Sequence, residues 1–438
     1  MGGGTGGVDQ HHRERPTFGE PVAMPEPVGS MAEDGGLTFK NTHRDSADVA
    51  TLGDPAMRAV VGRDGLVHRR TPDYYQSYPV CNLLGSGTIL PPAAPVLLII
   101  WGIAAQWPAG GEGIMLKTPL CGLLGIDVPI ILAPMGTATS AEFAAAVSNQ
   151  GGLGSIGSLT RSTAAVKRDI DMIRELTNCH YAINHIPPTL DAEAFRYTLE
   201  ARPAVISFAL GDPGDLVRQA HDVGALVMVQ VTTVAQAVQA TARGADVLIA
   251  QGSEAGGYSG DISTIALIPQ VVDAVSPIPV VAAGGIFDGR GIAAAFMLGA
   301  VGVNLGTRFL ASIEAPISDE WKKAIAGARS EDVMKAEVIN DIIPLPGTGG
   351  YGTVLRSLTT PFLDEWSNRR EEARRDRDRL MMQLVSARQA NRQHEMLVSA
   401  GQTAGGIKEI LPVAAIMRRL IAEAEAALSK APRAKGDT

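Results

Sequence analysis

Two glycine-rich turns in the second half of the chain carry residue types that could hold a phosphate. They read Ala282-Ala283-Gly284-Gly285-Ile286 and Asn304-Leu305-Gly306-Thr307-Arg308, and each follows a short apolar run. Glycine lets backbone N–H groups approach an anion closely, and a helix starting just after the turn adds a favourable dipole. Thr307 offers a hydroxyl, and Arg308 offers charge to offset a phosphate. One such turn is commonplace; two in succession predict a phosphate-bearing cofactor or substrate. A third stretch, Gln251 to Gly260 (QGSEAGGYSG), has four glycines in ten residues, which suits backbone wrapped around a flat ligand. Its Glu254 reads as a carboxylate that orders the loop. A fourth, Ala133-Pro134-Met135-Gly136, sets a rigid apolar platform where a polar turn would be ordinary.

These turns need elements to position them. From Pro129 onward, eight short apolar runs recur: 130–133, 153–156, 181–184, 204–208, 226–231, 247–250, 280–283 and 302–305. Each is continuous rather than alternating, as buried parallel strands are. Amphipathic segments lie between them, several opened by the capping residues Ser140, Ser162, Asp212 and Asp288. Eight such units between residues 115 and 360 fill the ~250 residues of a (β/α)8 TIM barrel. A doubly wound open sheet is the weaker reading, because its strand count is smaller and its glycine fingerprint after the first strand is missing. In a barrel the site lies at the C-terminal ends of the strands, with phosphate after strands 7 and 8. Both phosphate turns fall there.

The flanks differ. Residues 1–114 are rich in Gly, Pro and polar residues without a sustained period, which predicts a largely disordered extension. Its apolar run Ala94–Trp107 is shorter than the ~20 residues of a spanning helix and reads as a locally ordered patch. Organised patterning begins just after Met115, which leaves Met115 open as the natural start. Residues 361–438 carry the charge run RREEARRDRDR and a second amphipathic segment, and predict a helical appendage on the barrel. With 38 Lys and Arg against 46 Asp and Glu, the formal charge is −8, so nucleic acid is not an expected partner. Three scattered cysteines make neither a disulfide framework nor a zinc site. No secretory signal is visible in the first twenty residues, and the expected location is cytoplasmic, without stable membrane insertion.

The runs ILAPMGTAT (131–139), GGLGSIG (151–157), QGSEAGGYSG (251–260), IPVVAAGGIFDGRGIAAAFMLGA (278–300) and VNLGTRFLAS (303–312) resemble the nitronate monooxygenase family. Its members are also known as 2-nitropropane dioxygenases, and FMN-dependent enoyl-ACP reductases are their relatives. The tail piece AGQTAG (400–405) is similar to the family's C-terminal element. The resemblance implies an FMN-binding barrel. By its pattern Ala133, Pro134 and Met135 would contact the isoalloxazine, and Asn184 its polar edge. Gln251 and Gly256 would line the ring and ribityl side, while Gly285, Asn304, Leu305, Gly306 and Thr307 would hold the phosphate.

One departure bears on chemistry. Family members typically read EAGGH in the loop after strand 6, where the histidine removes the α-proton of a neutral nitroalkane; this chain has Tyr258. A phenol with a pKa near ~10 is a poor base and a good hydrogen-bond donor. His185, directly after Asn184, is the candidate substitute, whereas His180 and His221 read as structural. Three readings follow. The protein oxidises alkyl nitronates with dioxygen, or is an NAD(P)H-dependent FMN reductase of an enone or enoyl thioester, or is a non-catalytic FMN-binding barrel. The expected partner is a small molecule, nitronate or enone, with dioxygen or NAD(P)H; assembly into a homodimer is left open.

Overall fold

The computed structural model describes residues 116–344 and 353–430, together with the backbone of three short strands near the N-terminus. Those strands, Arg58–Val61, Leu66–Thr71 and Tyr74–Pro79, pair as an antiparallel meander in the stretch read as low-order. The expectations for the rest of 1–115, including the run Ala94–Trp107, lie outside the described residues.

In the second unit, eight parallel strands form a barrel: β1 (Ile130–Leu132), β2 (Gly154–Gly157), β3 (Tyr181–His185), β4 (Val205–Phe208), β5 (Leu226–Val231), β6 (Val247–Gln251), β7 (Val280–Ala283) and β8 (Gly302–Leu305). Neighbours pair in the order β1-β8-β7-β6-β5-β4-β3-β2. A parallel bridge between Ile131 and Leu153 closes the ring. The predicted strands agree to within a residue or so at each end, because each is a run of β-branched and small apolar residues buried on both faces.

Seven helices follow the first seven strands: α1 (Ala141–Ser148), α2 (Thr163–Leu176), α3 (Ala192–Ala201), α4 (Leu216–Asp222), α5 (Val234–Ala242), α6 (Thr264–Val275) and α7 (Gly289–Met297). Ser140, Ser162 and Asp288 cap α1, α2 and α7 by accepting backbone N–H bonds, as their types predict. Asp212 instead accepts from Gly214 N–H in the turn before α4.

Side-chain parity divides the core. Ile131, Ala182, Val205, Met228 and Ile249 point into the barrel, where Leu120 and Leu124 of the helix Pro119–Leu124 join them. Ile130, Ile183, Ile206, Val229 and Val303 point outward against the helices. With apolar side chains filling the interior, ligands must enter at the C-terminal ends of the strands.

The appendage is arranged differently from the predicted block at 361–438. A small antiparallel sheet begins earlier in the chain, with Val333–Lys335 and Val354–Leu358, joined by Val398–Ser399 and by Gly257–Ser259 from the loop after β6. With the helices around it, including α8 (Arg377–Gln389), this sheet forms a cap. The last helix, α9 (Val413–Lys430), packs on α7 and α1 and supplies the outer layer that β8 otherwise lacks. Glu314, just past β8, accepts the Val413 N–H at 2.9 Å, which ties α9 to its strand. The barrel's eighth helix therefore arrives only after the cap, a separation that periodicity alone does not reveal.

Candidate active site

A cavity of about 330 Å³ lies at the C-terminal ends of the strands, beneath the cap. Its barrel side is built on β1, β3, β6, β7 and β8. Ala133, Pro134 and Met135 follow β1 and form the expected apolar platform, with the Met135 sulfur against Gly306: a Cβ on that glycine would lie 3.3 Å from it. Asn184, the next-to-last residue of β3, points inward, where its Nδ2 donates to Ser207 O (3.2 Å) and Oγ (3.1 Å). Gln251 at the end of β6 accepts from Gln230 Nε2 of β5 at 3.2 Å.

The two glycine turns after β7 and β8 both line the cavity. Gly284 and Gly285 take φ of +92° and +73°, conformations glycine adopts without the clash a Cβ would bring. Among the described residues, nothing accepts a hydrogen bond from the N–H of Gly285 or Gly306. Asn304 points inward from β8 and is 4% exposed, and its Oδ1 has no partner among the described residues. A buried amide oxygen left unpaired marks a position where a ligand would complete the bonding. The Leu305 side chain packs in the core between barrel and helices, so its contribution to the cavity is main chain. Thr307 Oγ1 accepts Gly401 N–H at 2.9 Å, leaving its own hydrogen free to donate. Arg308 corrects an expectation: it turns away from the cavity and donates to Ala311 O and Glu409 O, with burial pushing its pKa down to about 10.

The loop after β6 joins the barrel to the cap sheet through Gly257–Ser259. Glu254 orders it, as its type suggests, by accepting from Thr264 N (2.9 Å) and Oγ1 (2.9 Å) at the start of α6. Gly256 lies against Gly401, where a Cβ would sit 2.6 Å from backbone. Gln402 N–H donates to Glu254 O at 3.0 Å, so the AGQTAG tail piece packs against this loop. Tyr258 then pairs across from Leu355 of the cap sheet. Its ring packs with Ile186, Ala209 and Leu210, and burial pushes its phenol up to about 12. No described residue accepts from or donates to its hydroxyl, which is therefore a neutral donor lining the cavity.

His185 is the second correction. Strand alternation puts Asn184 into the barrel and His185 out of it. The imidazole is 1% exposed, bonds Thr198 Oγ1 at 2.9 Å and meets Phe195 edge-on at 5.1 Å. Burial lowers its pKa to about 4. It is a structural residue behind the wall and cannot stand in for a base.

Sequence reasoning missed Gln230 and the whole cap side: Ile339, Ile343, Leu355, Leu384, Leu397 and Arg388. Gln230 had a signal, since it is the one polar residue in LVMVQV and shares inward parity with Met228. The cap residues had none.

The fold and cavity define a barrel with paired phosphate-type turns and a cap over its mouth. The model of the nitronate monooxygenase family matches residues 117–195 and 181–423, and the chain belongs to that family of oxidoreductases. It is 34% identical over 272 residues to a probable nitronate monooxygenase of Staphylococcus saprophyticus, covering 51% of this chain and 76% of the relative. A dehydrogenase of Mycobacterium tuberculosis acting on a 5-hydroxy-7a-methyl-1-oxo-octahydro-indene-4-carboxyl-CoA is 37% identical over 211 residues, and the match spans 48% of this chain and 59% of that relative. Among solved structures, FabK from Thermotoga maritima superposes with TM-score 0.65 at 31% identity, covering 72% of this chain and 98% of FabK. Nitroalkane oxidase from Streptomyces ansochromogenes gives 0.62 at 28%, covering 71% and 99%. Among the described residues no helix is long and apolar enough to cross a membrane, and no cluster of metal-ligating side chains is present.

Proposed function

We propose that the protein is an FMN-dependent oxidoreductase that oxidises alkyl nitronates with dioxygen. Relatives in its family are flavoproteins, and the residues in hand fit FMN: free N–H groups at Gly285 and Gly306, the unpaired Asn304 Oδ1 and the flat Ala133–Met135 surface. Gly285, Asn304, Gly306 and Thr307 would hold the phosphate, with Leu305 contributing main chain. Ala133, Pro134, Met135, Asn184, Gln251 and Gly256 would hold the ring and ribityl chain. FMN, when bound, supplies the two-electron oxidation and the transfer of electrons to dioxygen; the protein's part is orientation and electrostatics.

The observation that carries the choice of substrate is the lack of a usable base among the described residues lining the cavity. Tyr258 is held protonated, His185 is outside, and the Glu254 carboxylate is bound to Thr264. A neutral nitroalkane must lose its α-proton; a nitronate already has. Tyr258 can then donate its hydrogen bond to an anionic nitronate oxygen, and the closed barrel and cap exclude water. In the second reading an NAD(P)H-dependent reductase acts on an enone or enoyl thioester, and Tyr258 donates to the carbonyl oxygen. The relation to FMN-dependent enoyl-ACP reductases and the free phenol favour it. Anaerobic addition of a nitronate to the flavin-loaded protein without nicotinamide separates the two.

A further inference from the structure

Most charge near the cavity is used within the protein. Arg161 pairs with Asp169, Arg356 donates to Ser253 O at 3.0 Å, and Glu254 holds the start of α6. Arg388 on α8 differs. It lines the cavity, and its Nη2 donates only to Thr160, at 3.1 Å to Oγ1 and 3.4 Å to the carbonyl. No described carboxylate pairs with it, whereas its neighbours Arg379 and Arg392 are paired with Asp376 and Glu395. Burial lowers its pKa, and the one charged group acting on it, Arg161, is also a cation and lowers it further. A guanidinium that is half-buried, faces another cation and has no carboxylate is incomplete electrostatically. Its planar N–H fork suits a carboxylate or phosphate.

The surroundings give the rest of the ligand's shape. Leu384 and Val385 line the cavity one turn earlier on α8, and Ile339, Ile343 and Leu355 extend this apolar wall. Thr160 follows β2 and lines the cavity beside Leu159. The Tyr258 ring reaches over to the same side, packing in one apolar cluster with Leu159, the residue before Thr160, so Arg388 and the phenol line neighbouring parts of the cavity wall.

We propose that the substrate is an amphipathic anion whose apolar body lies against Ile339, Ile343 and Leu355 and whose carboxylate or phosphate is bound by Arg388. This rests on reading the cavity as the substrate site; it does not depend on whether the reaction is nitronate oxidation or enone reduction. Arg388 is a specificity-determining residue in either case.

The test is calorimetric titration of the FMN-loaded protein, with no turnover, using octanoate, octyl phosphate and 1-octanol. A charge-assisted hydrogen bond predicts that the better of the two anions binds roughly 10- to 100-fold more tightly than the alcohol. Raised salt should weaken the anion and leave the alcohol unchanged. Arg388→Gln should erase the preference with the alcohol's affinity intact, and Arg388→Lys should keep part of it. Tighter octanoate assigns a carboxylate; tighter octyl phosphate assigns a phosphate. Equal binding of anion and alcohol, no binding of any of the three, a salt-insensitive anion, or a preference that survives Arg388→Gln would each overturn the proposal. Should Arg388→Gln lose all ligands through misfolding, the salt series and Arg388→Lys decide. A failure of nitronate oxidation, by contrast, would leave these binding results unchanged.

Discussion

The barrel end of the cavity is made largely from main chain, and the cap end from side chains. At the barrel end, Gly285 and Gly306 offer backbone N–H groups, and Asn304 and Gln251 project from strands whose register is fixed by a ring of eight. At the cap end, Leu355, Leu384 and Arg388 come from a sheet strand and a helix inserted between β8 and α9. A backbone site constrains the sequence where its conformation requires glycine, as at Gly284 and Gly285 with their positive φ. A side-chain wall needs only apolar volume and a few charges, so it can be rebuilt for a different substrate. On the proposed reading the barrel end would hold the cofactor, and the cap end would select what is brought to it.

The largest expected effect breaks the barrel end. Gly285→Asp puts a carboxylate beside the phosphate position and a Cβ at φ +73°, so the purified variant should be colourless apoprotein that still folds. A yellow, stoichiometric variant would contradict the assignment of this turn. Next is the residue where the two ends meet. Tyr258→Phe removes the neutral donor and should lower kcat/KM for a nitronate about 10- to 100-fold, the worth of a hydrogen bond to a charged group. Tyr258→His restores a titratable base near neutrality, and activity on neutral nitroalkanes at pH 7 should rise. No gain would mean that the pocket has been rebuilt for another substrate.

The barrel wall makes a smaller, purely structural prediction. Because His185 titrates near 4 in the fold and near 6.5 when exposed, the unfolded chain binds the extra proton between those values. Its neutral form therefore supports the fold fully above about pH 6.5, and that support is lost as pH falls toward 4. Denaturant unfolding should show about 2 kcal/mol less stability from this residue at pH 5 than at pH 7. His185→Leu should remove that pH dependence while leaving nitronate turnover at pH 7 in place. Smallest is Glu254→Ala, which deletes an acceptor at the start of α6 and should cost about 1 kcal/mol of stability, read from the urea midpoint.

The same division governs how much the sequence reveals. That Ala133–Met135, Gly285 and Asn304–Thr307 line the cavity is legible in the sequence, because glycine, proline and strand-end position carry meaning without knowledge of tertiary contacts. Parity within β3 was available too: Asn184 inward requires His185 outward, so the imidazole's burial followed from alternation once the strand was accepted. Glu254 read correctly as an ordering carboxylate, though its partner Thr264 did not show. The cap was illegible for a physical reason. Its sheet is assembled from short segments at 257–259, 333–335, 354–358 and 398–399, each too brief to carry a period of its own. Arg388 lay inside a helix rich in charge, where only the pairing of its neighbours distinguishes it.

Whether the cavity oxidises a substrate that arrives already deprotonated can be measured directly. The flavin-loaded protein is mixed anaerobically with ethyl nitronate or propyl-2-nitronate in the absence of NAD(P)H, and its visible spectrum is followed. Bleaching of the flavin absorbance by the nitronate is the result predicted. A flavin that stays oxidised with either nitronate and bleaches only on adding NADH or NADPH would contradict it and establish the reductase reading instead.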